Sequence, residues 1–225
     1  MSKLLASVNS LAEAQLVLNI GVDIIDLKQP AQGALGALDL NSVTGIVSSV
    51  SGKCPVSATV GDLPMHPEIV FNAVKAMSQT GVDYIKIGFF PGGDWLASVK
   101  HLTVLTAQGH ALIAVLFADT QPDFTFLHAL KTAGFKGVMI DTMDKRLGSL
   151  TQILPKNDLI TFIRHAKKLD LMSGLAGSLR LEDITGLLPL DADYLGFRGA
   201  LCEQQQRTAS LSASAIRAIK HALRP

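Results

Sequence analysis

Apolar residues recur along this chain in two alternating rhythms. Short runs with a period of two read as strands, and longer stretches with apolar positions three and four apart read as helices. Leu4 to Val8 is a first strand. Ser10 caps the helix behind it, Glu13 completes a capping box, and Gly21 ends that helix. Ile24 to Lys28 is the second strand, and a loop rich in Gly and Ala leads to a helix over Leu40 to Val50. Val56 to Thr59 is the third strand, and the helix His66 to Thr80 stops at Gly81. Tyr84 to Gly88 is the fourth, introduced by Gly81-Val82-Asp83 just as Gly21-Val22-Asp23 introduces the second.

Pro91 and the two glycines behind it lead into a helix to about Gln108. Ala111 to Phe117 follows, almost wholly apolar, as a strand buried on both faces should be. Pro122 opens the next helix and Gly134 closes it. Gly137 to Asp141 is the sixth strand, the loop Thr142 to Ser149 follows, and a helix starts at Leu150 or Lys156 and runs to Leu169. Leu171 to Gly174 is the seventh strand, with a helix near Leu181 to Leu188. Tyr194 to Arg198 is the eighth, and Ser210 or Ser212 caps a last helix to about Ala222. Eight strands alternating with helical segments across linkers of α/β length predict one domain over residues 1–225, a closed parallel (β/α)8 TIM barrel. An open doubly wound sheet is the alternative, but no Gly-x-Gly-x-x-Gly follows the first strand.

The barrel turns the alternation into a demand, because working groups should sit on inward positions at the C-terminal strand ends. In the second strand Ile25 and Leu27 take one face, and Ile24, Asp26 and Lys28 the other. In the fourth, Ile85 and Ile87 face the helices, leaving Tyr84, Lys86 and Gly88 inside. In the sixth, Met139 and Asp141 face in. Asp26, Lys28, Lys86 and Asp141 therefore converge at one end, and Lys145 joins them from the loop after Asp141. Burying such charges costs several kcal/mol unless they are paired or used. Burial and neighbouring ammonium groups push one lysine toward neutrality, where it becomes a nucleophile toward carbonyls. The bland alternative is a structural ion-pair network plugging the mouth.

The loops after the seventh and eighth strands read Ser173-Gly174-Leu175-Ala176-Gly177-Ser178 and Gly196-Phe197-Arg198-Gly199-Ala200. Barrels often bind phosphate there. Gly174, Gly177, Ser178, Gly196 and Gly199 can bring backbone N–H groups to an anion, and Arg198 can clamp it. Asp144 reads as solvated surface and Asp23 and Asp83 as stabilising groups at the opposite end. Asp62, Asp94 and Asp119 read as helix caps.

Composition removes other classes. At 225 residues and 48% hydrophobic content the chain can bury a full core. A formal net charge of +1 with scattered Lys and Arg supplies no basic stripe, so nucleic acid is not an expected partner. The six histidines lack metal-ligand spacing, Cys54 and Cys202 form no redox motif, and no Gly-x-Ser-x-Gly elbow occurs; no metal and no cofactor are expected. No leader precedes the folded pattern and no apolar run reaches the ~18 residues of a membrane span, so a cytoplasmic protein without membrane partners is expected. The helices of so compact a barrel often carry interfaces, and a homo-oligomer is expected.

Asp26-Leu27-Lys28-Gln29-Pro30 with Gly33-Ala34-Leu35-Gly36-Ala37, Tyr84-Ile85-Lys86-Ile87-Gly88, and Asp141-Thr142 with Lys145 resembles the (5-formylfuran-3-yl)methyl phosphate synthase family over essentially the whole chain. That enzyme is also called 4-(hydroxymethyl)-2-furancarboxaldehyde-phosphate (4-HFC-P) synthase. The resemblance implies a (β/α)8 lyase of the Schiff-base aldolase type. Such an enzyme joins two glyceraldehyde 3-phosphate molecules into a phosphorylated furan aldehyde with release of phosphate and water, for methanofuran-type one-carbon cofactors. It also implies Lys28 as the Schiff-base lysine and Lys86 as proton acceptor, with Asp26, Asp141 and Lys145 assisting. A phosphate-binding barrel acting on another sugar phosphate as aldolase, isomerase or decarboxylase remains the alternative.

Overall fold

The structure, a computed structural model, describes residues 2–224. Eight parallel strands, β1 (Lys3–Val8), β2 (Ile24–Leu27), β3 (Val56–Thr59), β4 (Tyr84–Gly88), β5 (Leu112–Phe117), β6 (Gly137–Asp141), β7 (Met172–Leu175) and β8 (Tyr194–Phe197), close into a barrel in sequence order. Around them lie α1 (Leu11–Ile20), α2 (Leu40–Val50), α3 (Pro67–Ser78), α4 (Trp95–Ala107), α5 (Leu127–Thr132), α6 (Leu150–Ile153), α7 (Lys156–Lys168), α8 (Ile184–Leu187) and α9 (Ala213–Ala222). The expected (β/α)8 barrel is the fold.

Where the elements differ from expectation, local chemistry gives the reason. Both proposed starts of the helix before β7 are used. Pro155 lacks an N–H and holds Leu154 extended (φ −110°, ψ 124°), so α6 ends there and α7 starts afresh. The segment behind Pro122 begins as a 3₁₀ turn, Phe124–Phe126, capped by Asp123, and becomes α-helical only at Leu127. Ser212, not Ser210, caps α9. Only half of the capping box at α1 forms: Ser10 accepts from Glu13 N, while the Glu13 carboxylate turns to Asn9 N and Arg198.

The strands face as their alternation predicts. Outward residues such as Ile25, Leu27, Ile85, Ile87, Val138 and Ile140 join the large core beneath the helices. Inside, Leu5, Ile24, Ile113, Val115, Phe117, Met139, Ala176 and Tyr194 form a second cluster, joined by Leu35 from the β2–α2 loop. At β7 that interior demands a glycine, since a Cβ on Gly174 would lie 2.3 Å from the Tyr194 ring. Among the described residues no helix is long and apolar enough to cross a membrane.

At the N-terminal end of the barrel the repeated Gly-Val-Asp has a structural use. The Asp23 carboxylate accepts from Leu4 N at 2.8 Å, and Asp23 N donates to Leu4 O at 3.1 Å. Asp83 does the same with Val56, at 2.7 and 2.9 Å, and Asp193 with Ser173, at 2.6 and 3.0 Å. Each aspartate at a strand start thus finishes the ladder of the preceding strand by capping its first free N–H. Asp83→Ala leaves the Val56 N–H without that acceptor and should lower stability by about 1–3 kcal/mol in urea unfolding, at constant m. An unchanged midpoint would show that solvent replaces the carboxylate at no cost. Gly174→Ala should cost a similar ~1–3 kcal/mol through overpacking against Tyr194.

Candidate active site

Asp26 organises the C-terminal end of the barrel. It is wholly buried and accepts from Ser7 Oγ at 2.8 Å, Ser57 Oγ at 2.6 Å and Lys86 Nζ at 2.9 Å. Ser7 and Ser57 are its register partners on the two neighbouring strands, so the pleat delivers both hydroxyls to the carboxylate. Lys86 comes from β4, one strand further on. A buried carboxylate with three donors is fully satisfied, and its tie to Lys86 fixes that amine in place.

Lys28 is two residues from Asp26 yet does not pair with it. Its Nζ lies 3.5 Å from Asp141 Oδ2 across the barrel. Among the described residues this ion pair is the only polar contact of the Lys28 side chain, which is 8% exposed and lines the cavity. Burial pushes the Lys28 amine down. Asp141 opposes this and Lys145 and Lys86 reinforce it, leaving the value at about 8 rather than 10.5. Asp141 also accepts from Thr142 N at 2.7 Å and from Lys145, whose amine is held in turn by Thr142. Burial alone would raise Asp141; Lys145 and Lys28 outweigh it and hold the carboxyl well below the usual carboxylate range.

These five groups form the floor and one wall of a cavity of about 350 Å³. Its rim carries Arg146, the segments 176–180 and 196–200, Gln205 and Arg207. The amides of Gly177, Ser178, Leu179 and Gly199 donate to no protein acceptor among the described residues, and all four residues line the cavity. Gly177 has φ +112°, and a Cβ there would lie 2.7 Å from Thr142 Cγ2, so the close turn requires glycine. This is the concave array of free N–H groups that suits an anion.

Three of the residues expected at the phosphate loops have other duties. Gly174 does not line the cavity; it makes room for the Tyr194 ring inside the sheet. Gly196 lines it but lies within β8, paired with Leu5 of β1, so it contributes space and not a free donor. The Arg198 guanidinium is engaged throughout: Nε donates to Arg207 O at 2.8 Å, Nη1 to Ser7 O at 3.1 Å and to Glu13, and Nη2 to Glu13 and to Ala209 O, both at 3.2 Å. It braces the rim and has no donor left for a clamp. Asp94 caps α4 as expected, but Asp62 and Asp119 brace loops: Asp62 holds Ala34 N and Leu35 N, and Asp119 holds Met143 N and Asp144 N. Asp144 lies at the surface as expected, where it pairs with the exposed Arg146.

Ser7, Ser57 and Arg207 are site residues that sequence reasoning missed. The serines stand at inward positions of otherwise apolar strands, a signal of the same kind as Asp26 but without a charge to mark it. Arg207 lies in an irregular segment where no periodicity operates.

A model of the 4-HFC-P synthase family matches residues 4–220. The chain belongs to the 4-HFC-P synthase family. It is 40% identical, over 99% of its length and 92% of the relative's, to a protein of Methylorubrum extorquens provisionally named (5-formylfuran-3-yl)methyl phosphate synthase. It is 29% identical to the (5-formylfuran-3-yl)methyl phosphate synthase of Methanosarcina acetivorans, over 92% of this chain and 93% of that one. Among solved structures it is similar to 3-hexulose-6-phosphate synthase from Salmonella typhimurium, with a TM-score of 0.73 and 17% identity over 98% of both chains. Phosphoribosyl anthranilate isomerase from Thermus thermophilus gives a TM-score of 0.69 at 13% identity over 98% of both. At such identities these two structures speak for the barrel alone.

The site of this 4-HFC-P synthase family member makes a prediction that needs no substrate. Since the Lys28 amine is about 8, its neutral fraction rises with pH through that value, and about a tenth is neutral at pH 7. Competitive labelling with a small amine-reactive reagent, read by peptide mass mapping, should give Lys28 a midpoint near pH 8. Asp141→Asn removes the anion that raises it and should move the midpoint lower. A midpoint near the ordinary lysine value would contradict the burial argument.

Proposed function

We propose that the chain is a (5-formylfuran-3-yl)methyl phosphate synthase, a lyase that condenses two glyceraldehyde 3-phosphate molecules through a Schiff base on Lys28. Its product is the furan unit of methanofuran-type cofactors. Family membership supports the overall reaction. The observation that carries the covalent mechanism is the contrast among the amines: Lys86 and Lys145 are each tied to a carboxylate by hydrogen bond, whereas Lys28 faces the cavity without one.

The Lys28 amine adds to the aldehyde carbon of one triose, and loss of water leaves a protonated imine. The iminium acidifies the adjacent C–H, whose proton passes to the Lys86–Asp26 pair, giving an enamine. The enamine expels phosphate from its own C3, and the enol left on Lys28 attacks through that carbon the C2 carbonyl of the second triose, which the same acid–base groups have isomerised to its ketose. Ring closure with dehydration and hydrolysis of the imine complete the turnover. The balance is two trioses to one furan phosphate, one phosphate and two waters. Asp141 and Lys145 stabilise charge around the imine, and the free amides at 177–179 and 199 hold a phosphate.

Borohydride treatment with glyceraldehyde 3-phosphate should leave a reduced triose on Lys28 in the peptide map. Lys28→Ala should abolish both that adduct and furan absorbance. Lys86→Ala should retain trapping while furan formation falls by about 10²- to 10⁴-fold, the size of a lost proton-transfer group. Full furan formation without an adduct in the wild-type protein would sink the covalent reading and favour non-covalent sugar-phosphate chemistry.

A further inference from the structure

Two triose phosphates bring two dianions into one cavity, and the amide array at the end of β7 suits only one of them. The other cations of the rim are mostly committed. Lys145 is held by Asp141, Arg146 by Asp144 and Arg198 by Glu13. Arg180 is exposed and adjoins the amide array, so it serves the same anion if it serves any. Arg207 differs from all of these. It is half-buried, lines the cavity, and pairs with no carboxylate among the described residues. Among the described residues its guanidinium makes one hydrogen bond, from Nη2 to Gly33 O at 2.7 Å, in the loop that follows Lys28.

The segment that carries Arg207 is built as a strap. Cys202 and Leu211 pair antiparallel at its base, Glu203 N donates to Ser210 O at 2.9 Å, and Ser212 N to Leu201 O at 2.8 Å. The buried Arg198 guanidinium grips its far side through the carbonyls of Arg207 and Ala209. Gln204 (φ 52°) and Gln205 (φ 56°) both adopt the left-handed region, which residues with a Cβ occupy only when the surroundings compel them. All of this fixes the backbone of Arg207 and leaves its long side chain latched to a single neutral carbonyl. A phosphate dianion is a stronger acceptor than that carbonyl, so the latch can be exchanged for substrate.

We infer that Arg207 binds the phosphate of the triose that is not joined to Lys28, and so selects a phosphorylated second substrate. This rests on the condensation proposed above. The rigid amide array suits the substrate that stays bound through the covalent steps, and the movable guanidinium suits the one that arrives later.

Glycerol 3-phosphate, which has no carbonyl, tests the binding separately from the chemistry. Calorimetric titration of the wild-type protein should show two sites per chain, and Arg207→Gln should retain one and lose the other or weaken it by about 10- to 100-fold, the range of a charge-assisted hydrogen bond. In turnover the same variant should trap glyceraldehyde 3-phosphate on Lys28 as wild type does, while half-saturation for furan formation rises about tenfold or more; Arg207→Lys should recover part of it. A merely structural latch to Gly33 would lower the melting temperature and leave stoichiometry and half-saturation unchanged. A single site in the wild type, or unaltered binding and half-saturation in R207Q, overturns the inference, as does an equal loss of trapping and furan formation. Absence of any wild-type adduct counts instead against the imine, and the titration still decides on Arg207.

Discussion

The ion pair between Asp26 and Lys86 is the interaction on which the site depends. A carboxylate with no exposed surface is tolerable inside a barrel only because Ser7, Ser57 and Lys86 deliver donors from three other strands. Those donors arrive through strand register, so the barrel must be closed and correctly paired before the carboxylate is satisfied. The arrangement also explains why the two lysines differ. By taking Lys86, Asp26 leaves its near neighbour Lys28, just past the end of β2, to a more distant partner, and this end of β2 presents one satisfied acid and one loosely held amine.

The charge count at the floor reinforces that inequality. Three amines face two carboxylates, and Asp141 is shared between Lys145, which is hydrogen-bonded to it, and Lys28 at 3.5 Å. The apolar residues that line the cavity beside them, Leu5, Met139 and Ala176, supply no polar group to compensate. A low-dielectric wall and an excess of positive charge both favour release of a proton from the least satisfied amine, and that amine is Lys28. Once it is neutral, the amines and carboxylates left at the floor balance. The bland reading of the cluster as a plug does not account for an amine without a hydrogen bond facing a cavity.

Much of this was legible in the chain because period-two alternation both places a strand and orients its side chains. The runs at 24–28, 84–88 and 137–141 put Asp26, Lys28, Lys86 and Asp141 on inward positions without any knowledge of tertiary contacts. What alternation does not encode is which acid meets which base. Asp26 sits closer in sequence to Lys28 than to Lys86, yet the pairing follows register and barrel curvature. Loops were less legible still. Arg198 looked like a clamp because it ends a strand beside glycines, but its partner Glu13 stands 185 positions away, and only closure of β8 onto β1 brings the two together. Gly174 is hard to place from the sequence for a related reason, since its missing side chain answers to the Tyr194 ring on the next strand.

Arg198 and its counterparts show how the rim is kept ready. Asp62, on the loop after β3, holds two amides of the loop after β2; Asp119, after β5, holds two amides of the loop after β6; Glu13, after β1, holds Arg198 at the end of β8. Each brace links two segments at the C-terminal face by charge-assisted hydrogen bonds, the kind that best resist local opening. The loop after β2 carries the residues behind Lys28, and the loop after β6 carries Lys145, so both braces act on segments that fix the amines of the cavity floor. A barrel closes its sheet whatever its loops do, and the site at its mouth is only as well defined as the loops around it. Carboxylates that read as helix caps in the sequence thus set the amines and amides of the rim in place.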